Sequence, residues 1–179
     1  MEMTPEIKQQ SFMKLYEPVH VKLNRYVNSI MRNREDAKDI ISETVLKAYE
    51  NFEKIYKPES FMYYLFRIAS NTIHSRNRKR KFWEDLDQHH SENIPDEAGD
   101  VIAKTEMKEF YAELNKMPSK QKEAIVLFEI SGLSLNEIQQ IQGGSLSGVK
   151  SRIGRGRQHL EQKLEYTQKI SLNKTPELK

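Results

Sequence analysis

The side chains with the most evident chemical capacity are cationic, and they fall in two places. Residues 75–81, Ser-Arg-Asn-Arg-Lys-Arg-Lys, carry five positive charges in seven positions and no acid: Arg76, Arg78, Lys79, Arg80 and Lys81. A second group, Lys150, Arg152, Arg155 and Arg157, lies in "VKSRIGRGR". Guanidinium and ammonium groups at this density neutralise phosphates, which gives salt-dependent affinity but little sequence information. The plainer alternatives are a solvated basic face, and for the first run a localisation signal or a disordered tail. Catalytic chemistry has no comparable support. The chain has no cysteine, which excludes a thiol nucleophile, a disulfide framework and thiolate zinc sites. His20, His74 and His159 are too scattered for a triad or a cluster. His89-His90, beside Asp85, Asp87 and Glu92, could hold a metal weakly, but a polar linker rarely fixes ligand geometry. Gly143-Gly144 lacks the preceding strand and the following lysine-hydroxyl pair of a phosphate loop. No enzymatic activity, cofactor or metal is therefore expected.

The elements that must hold these cations read as helices. Phe12, Leu15, Tyr16 and Val19, then Leu23, Tyr26, Val27 and Ile30, keep the three-four spacing of one helical face. Pro18 interrupts the pattern, so either a kinked helix or two successive helices is expected. Asn33 can cap the next helix, with Glu35 and Asp36 at the positive end of its dipole. Its inner face would be Ala37, Ile40, Ile41, Thr44, Val45, Ala48, Tyr49 and Phe52. Asp36, Asp39, Glu43 and Lys47 recur on the opposite face. Lys57-Pro58-Glu59-Ser60 makes a turn. A third helix follows, with Phe61, Tyr64, Leu65, Ile68, Ala69, Thr72 and Ile73 inside and the basic run at its end.

From Phe82 to Ala103 there is no Lys or Arg, while seven residues are acidic, and Pro95 and Gly99 interrupt any periodicity. This strip reads as a linker, flexible and acidic, over 83–104. It separates a first domain, 1–82, from a second, 105–166, with a polar tail over 167–179. In the second domain Phe110 and Leu114 mark one helix. Pro118-Ser119 opens another, with Ala124, Leu127 and Phe128 facing in. Ser134-Leu135-Asn136-Glu137 is a capping box opening a short helix that buries Leu135, Ile138 and Ile141. After Gly143-Gly144, Ser145 or Ser147 caps a longer helix with Val149, Ile153, Leu160 and Leu164 inward. Short helix, glycine turn and basic helix form a helix-turn-helix, in which Ser147, Lys150, Ser151, Arg152 and Arg155 would reach base edges and phosphates. Gly154 and Gly156 lie inside that helix, each costing about 1 kcal/mol relative to alanine. This predicts a partly frayed free helix, in which Gly156→Ala raises helicity and DNA affinity together.

The fold class is thus all-α, with two small helical domains. A formal charge of +3 and a pI near 8.9 are too modest to identify a polyanion binder, so the argument rests on where the charges lie. No basic segment followed by an apolar core opens the chain, and no apolar run approaches membrane-spanning length. A cytoplasmic protein without membrane insertion is expected.

With both domains read, the sequence resembles the extracytoplasmic-function (ECF) RNA polymerase sigma factors over roughly residues 10–165. "NREDAKDIISETVLKAY" resembles the family's core-polymerase-binding helix and "FMYYLFRIASNTIHSRNRKRK" its −10-element helix. "MPSKQKEAIVLFEISGLSLNEIQQIQGGSLSGVKSRIGRGRQHL" is similar to its −35-element domain. The resemblance implies that Asp36, Asp39, Ile40, Glu43, Thr44 and Lys47 dock on the clamp helices of core RNA polymerase. It implies −10 contacts by Lys57, Ser60, Phe61, Asn71, His74, Ser75 and the five cations of residues 76–81, with Phe61 beside a loop that accepts an extruded base. Ser145, Ser147, Lys150, Ser151, Arg152, Arg155 and Arg157 would meet the −35 element. Partners would be core polymerase, promoter DNA and an anti-sigma factor, and the linker's carboxylates could mimic RNA in a polymerase channel. Gly144 stands where the family usually has an apolar residue. The other function class compatible with the residues is a stand-alone helix-turn-helix regulator.

Overall fold

The computed structural model describes residues 4–31, 33–55, 57–84 and 101–173. Among them every regular element is helical: α1 (Pro5–Tyr16), α2 (His20–Ile30), α3 (Arg34–Glu50), α4 (Phe61–Glu84), α5 (Val101–Lys116), α6 (Ser119–Ile125), α7 (Leu135–Gln142) and α8 (Leu146–Asn173). Pro18 separates α1 from α2, which settles the kink question in favour of two helices. Asn33 caps α3 as its type suggested, the Glu35 amide donating to Asn33 Oδ1 at 2.8 Å. Most of the acidic strip, with His89 and His90, lies outside the described residues. Helix α5 begins at Val101 and α8 runs on to Asn173, so helix extends past the sequence-based boundaries at both places.

The first domain closes around Leu23, Tyr26, Ile40, Ala48, Leu65, Phe66 and Ala69, all fully buried, with α3 packed along α4. Beneath α1 an aromatic cluster fixes the turn before α4. Phe12 meets Tyr49, Phe52 and Phe61 edge-on, with centroids 5.3, 5.5 and 5.4 Å apart. Edge-to-face pairs add about 0.5–1.5 kcal/mol each beyond the area they bury.

In the second domain α6 widens into a π-turn over Val126–Ile130, where the Ser131 amide reaches back five residues to the Val126 carbonyl at 2.9 Å. The capping box of α7 forms in both directions: the Glu137 amide donates to Ser134 Oγ at 3.3 Å, and the Ser134 amide to Glu137 Oε2 at 2.6 Å. Gly143 (φ 72°, ψ −178°) and Gly144 (φ 84°) then turn the chain in backbone regions that L-residues rarely enter.

Gly156 overturns the expectation of a frayed helix. It is buried where α8 crosses α6, and a methyl built on it would stand 2.5 Å from Ile125 Cγ1 and 2.9 Å from Cδ1. Its absent side chain is what lets the two helices approach. Gly154 is exposed, with nothing within 4 Å of an added methyl. Gly154→Ala is therefore expected to stabilise the chain by about 0.5–1 kcal/mol. Gly156→Ala is expected to destabilise it by about 1–3 kcal/mol, because buried Ile125 must shift. Urea unfolding of both variants checks this, and a gain in both would contradict the packing.

Candidate nucleic-acid and polymerase interfaces

The outward face of α3 is charged as its spacing requires. Asp39 is exposed, and Glu43 pairs with Lys47 one turn on. The Lys47 hydrogen bond, joined by the Arg76 bond and the charges of both cations, outweighs burial and holds the Glu43 carboxyl below its usual value. Two residues assigned to this face are elsewhere. Ile40 and Thr44 are completely buried, on the same stripe as Ala37 and Ala48, so the helical period turns them into the domain core. They support the charged face from beneath and do not form part of it.

Helix α4 brings the −10 candidates together with mixed results. Lys57, Ser60, Asn71, Arg78, Lys79 and Arg80 are exposed. Phe61 is 1 % exposed and enclosed by Phe12 and Phe52, so it cannot stack on an extruded base; aromatic packing, not base capture, selects it. Ser75 is half-buried. Arg76 turns back to α3, its Nη2 donating to Glu43 Oε2 at 3.1 Å with Asp39 Oδ2 3.8 Å from Nη1. Lys81 falls within α4, but its side chain is outside the described residues.

On the helix-turn-helix, Ser145, Ser147, Lys150, Ser151 and Arg155 are exposed around the first turns of α8. Ser145 is the capping residue, accepting from the Gly148 amide at 3.1 Å. Two arginines of the set are committed within the domain. Arg152 is half-buried with Nη2 3.4 Å from the Gly143 carbonyl, and so braces the turn. Arg157 donates to Glu129 Oε1 at 2.6 Å and lies 5.1 Å over the Phe128 ring. Lys150, Ser151 and Arg155 are the groups best placed to meet DNA.

Sequence reasoning missed the residues that join the two domains. Glu123 of α6 is 4 % exposed, yet its carboxylate is fully engaged. Oε1 accepts from Tyr26 of α2 and from Ser70 of α4, both at 2.6 Å. Oε2 accepts from Gln142 of α7 at 2.8 Å and faces His74 Nε2 at 3.4 Å. Nearby, Lys122 donates to the Ile30 carbonyl at 2.9 Å. The sequence hint was an acid directly ahead of the apolar run Ala124–Phe128; its partners lie 53 and 97 positions away and have no local signature.

Burial alone would push the Glu123 carboxyl up, but His74, Ser70, Tyr26 and Gln142 outweigh it and hold it at about 2. In return the Glu123 carboxylate raises the His74 imidazole above its usual 6.5, against burial and the Arg78 and Lys120 charges. A depressed carboxyl contributes stability that is present above its usual 4.5 and lost as pH falls towards 2. A raised imidazole contributes stability that is complete below 6.5 and lost as pH rises through its folded value. The contact between domains is expected to be tightest between these limits and to loosen first on the alkaline side. Thermal melting from about pH 5 to about pH 8.5 checks this, with the alkaline loss removed in His74→Gln. A flat profile in the wild-type chain would contradict it.

A pair of helical domains, one ending a long helix in exposed cations and the other presenting a helix-turn-helix, has the architecture of a DNA-binding protein. Residues 15–82 match Sigma-70 region 2, and residues 107–160 match Sigma-70, region 4. The chain is 32% identical to the ECF RNA polymerase sigma factor EcfG of Rhodopseudomonas palustris (strain TIE-1), over 77% of this chain and 76% of that protein. It is 28% identical to the ECF RNA polymerase sigma factor SigW of Bacillus subtilis (strain 168), over 87% and 90%. Its fold is similar to the sigma factor RpoE in complex with the anti-sigma factor NepR from Bartonella quintana, with TM-score 0.72 and 26% identity over 86% of this chain and 96% of that one. CnrH, in complex with the cytosolic domain of CnrY, gives TM-score 0.66 at 26% identity over 88% and 90%. The chain belongs to the ECF family of RNA polymerase sigma factors. Sigma factors direct promoter-specific transcription initiation and are not themselves enzymes. Among the described residues no helix is long and apolar enough to cross a membrane.

Proposed function

We propose that this chain docks on core RNA polymerase through the outward face of α3, with Asp36, Asp39, Glu43 and Lys47 as its charged contacts. Helix α4 then carries the −10 element: Arg78, Lys79, Arg80 and Lys81 neutralise phosphates, and Lys57, Ser60, Asn71, His74 and Ser75 meet bases or sugars. Lys150, Ser151 and Arg155, with Ser145 and Ser147 at the helix start, meet the −35 element. Arg152 and Arg157 act behind them, on the turn and on the π-turn. The observation that supports this reading most is the pairing of an exposed cationic end on α4 with a helix-turn-helix in the same chain. A stand-alone regulator would use only the second feature. The protein works in the cytoplasm, where its polymerase is, and an anti-sigma factor is its regulatory partner, as NepR is of the structural relative RpoE.

Promoter-dependent run-off transcription with purified core polymerase tests the reading. Initiation on a broad promoter library is expected from the wild-type chain. A folded sample that gives no initiation, while still binding duplex DNA, would favour the stand-alone regulator.

A further inference from the structure

Among the described cations of the basic run, Arg76 alone is half-buried; Arg78, Lys79 and Arg80 are exposed. Its guanidinium is held by α3: Nη2 donates to Glu43 Oε2 at 3.1 Å, and Nη1 lies 3.8 Å from Asp39 Oδ2. Asp39 and Glu43 stand one turn apart on α3, so both carboxylates meet the same guanidinium. A guanidinium is a planar fork of donors that suits paired anionic oxygens, whether they belong to carboxylates or to a phosphate. The two acids therefore occupy Arg76 much as a phosphate would.

This ion pair joins two surfaces that were assigned separately. Asp39 and Glu43 belong to the face of α3 proposed to meet core polymerase. On α4, Lys79 and Arg80 follow Arg76 by three and four positions, so all three side chains leave the same side of the helix. Like charges at that spacing repel, and the α3 carboxylates relieve the crowding; DNA phosphates relieve it equally well. The pair is also open to exchange, with Arg76 36% accessible, Glu43 34% and Asp39 70%. Pairs this exposed are weak, so a competing partner can break them. An acidic docking face calls for a cationic partner, and a cation that takes Glu43 and Asp39 displaces Arg76.

We propose that Arg76 is a shared residue: Asp39 and Glu43 hold it in the free chain, and the −10 phosphates take it once core polymerase occupies those carboxylates. The proposal rests on the docking and −10 assignments above and adds the residue that couples them. The coupling is reciprocal. Whatever factor core contributes to the grip of α4 on DNA, DNA returns to the grip of α3 on core. For exposed pairs of this kind the factor is roughly two to five.

Arg76→Gln separates this role from a structural one, because the two predict opposite signs. Titration of the full-length variant with core polymerase alone is expected to show binding roughly two- to fivefold tighter than wild type, since nothing then competes for Asp39 and Glu43. Promoter binding by the resulting holoenzyme is expected to weaken. Its slope of log affinity against log salt should fall by about 0.7–0.9, the share of one phosphate contact. Arg76→Lys keeps the charge but loses the fork, so it should retain the wild-type salt slope and tighten core binding by a smaller factor. It carries the test if Arg76→Gln melts well below the wild type. Core binding no tighter than wild type in a folded variant overturns the proposal, because Arg76 then braces the docking face or stands apart from it. An unaltered salt slope in Arg76→Gln overturns it as well, because Arg76 then stays on α3 in the holoenzyme. Failure of the sigma-factor reading is distinguishable: the wild-type chain then gives no run-off transcription, and the proposal falls with it.

Discussion

Asp39→Arg is expected to weaken binding to core RNA polymerase on the order of a hundredfold or more while leaving the fold intact. The position is exposed on α3, its side chain 70% accessible, and its only described ion pair is a loose one with Arg76 at 3.8 Å. Losing a surface pair of that kind costs about 0–1 kcal/mol, too little to unfold the domain. Reversing a charge at a complementary interface sets like charges together, which costs several kcal/mol, and each 1.4 kcal/mol is a factor of about ten. Asp39→Asn, which removes the charge without reversing it, should lie between. Thermal melts and core-binding titrations separate the two effects; a variant that melts like the wild type and still assembles holoenzyme would remove α3 from the docking surface.

The second large effect is expected from neutralising Arg78, Lys79 and Arg80 together. Each phosphate contact contributes about 0.9 to the slope of log affinity against log salt on duplex DNA, and about 0.7 on single strands. Three contacts therefore account for a slope of roughly two to three. At about 0.1 M salt that corresponds to a loss on the order of a hundredfold in promoter binding by holoenzyme. Core binding should be unchanged, since these residues lie beyond the α3 face. A large loss of affinity with an unaltered salt slope would mean that the side chains read bases or hold structure instead of neutralising phosphates.

The sequence was most informative where the physics is local. Asn33 before α3, the Ser134–Glu137 box, and the glycine turn before α8 all act within four residues, so residue type and spacing suffice to find them. The inward stripe of α3 was equally legible, and it already contained Ile40 and Thr44. Resemblance pointed those two towards polymerase, but the 3.6-residue period decides where a side chain points, and both are buried. Phe61 failed for a related reason. The resemblance pointed it to a base contact, whereas the helical pattern had already set it inside, where Phe12, 49 positions earlier, meets it edge-on. Glu123 is the extreme case. An acid on an amphipathic helix is ordinarily solvated, and only tertiary packing brings Tyr26 and Ser70 to it. Gly156 was misread in the opposite direction, as a weakness of its own helix when it is the contact point for another.

The turn between α7 and α8 has a consequence for how this domain can diverge. Two successive residues there occupy left-handed or extended-positive backbone, and any other L-residue would be strained by about 1–2 kcal/mol at each. The crossing angle of the two helices is therefore held by atoms that are missing. Ordinary substitution has little purchase on that angle. A lineage seeking a different placement in the groove would have to lengthen or shorten the turn, or change the side chains that α8 presents while leaving its bearing fixed.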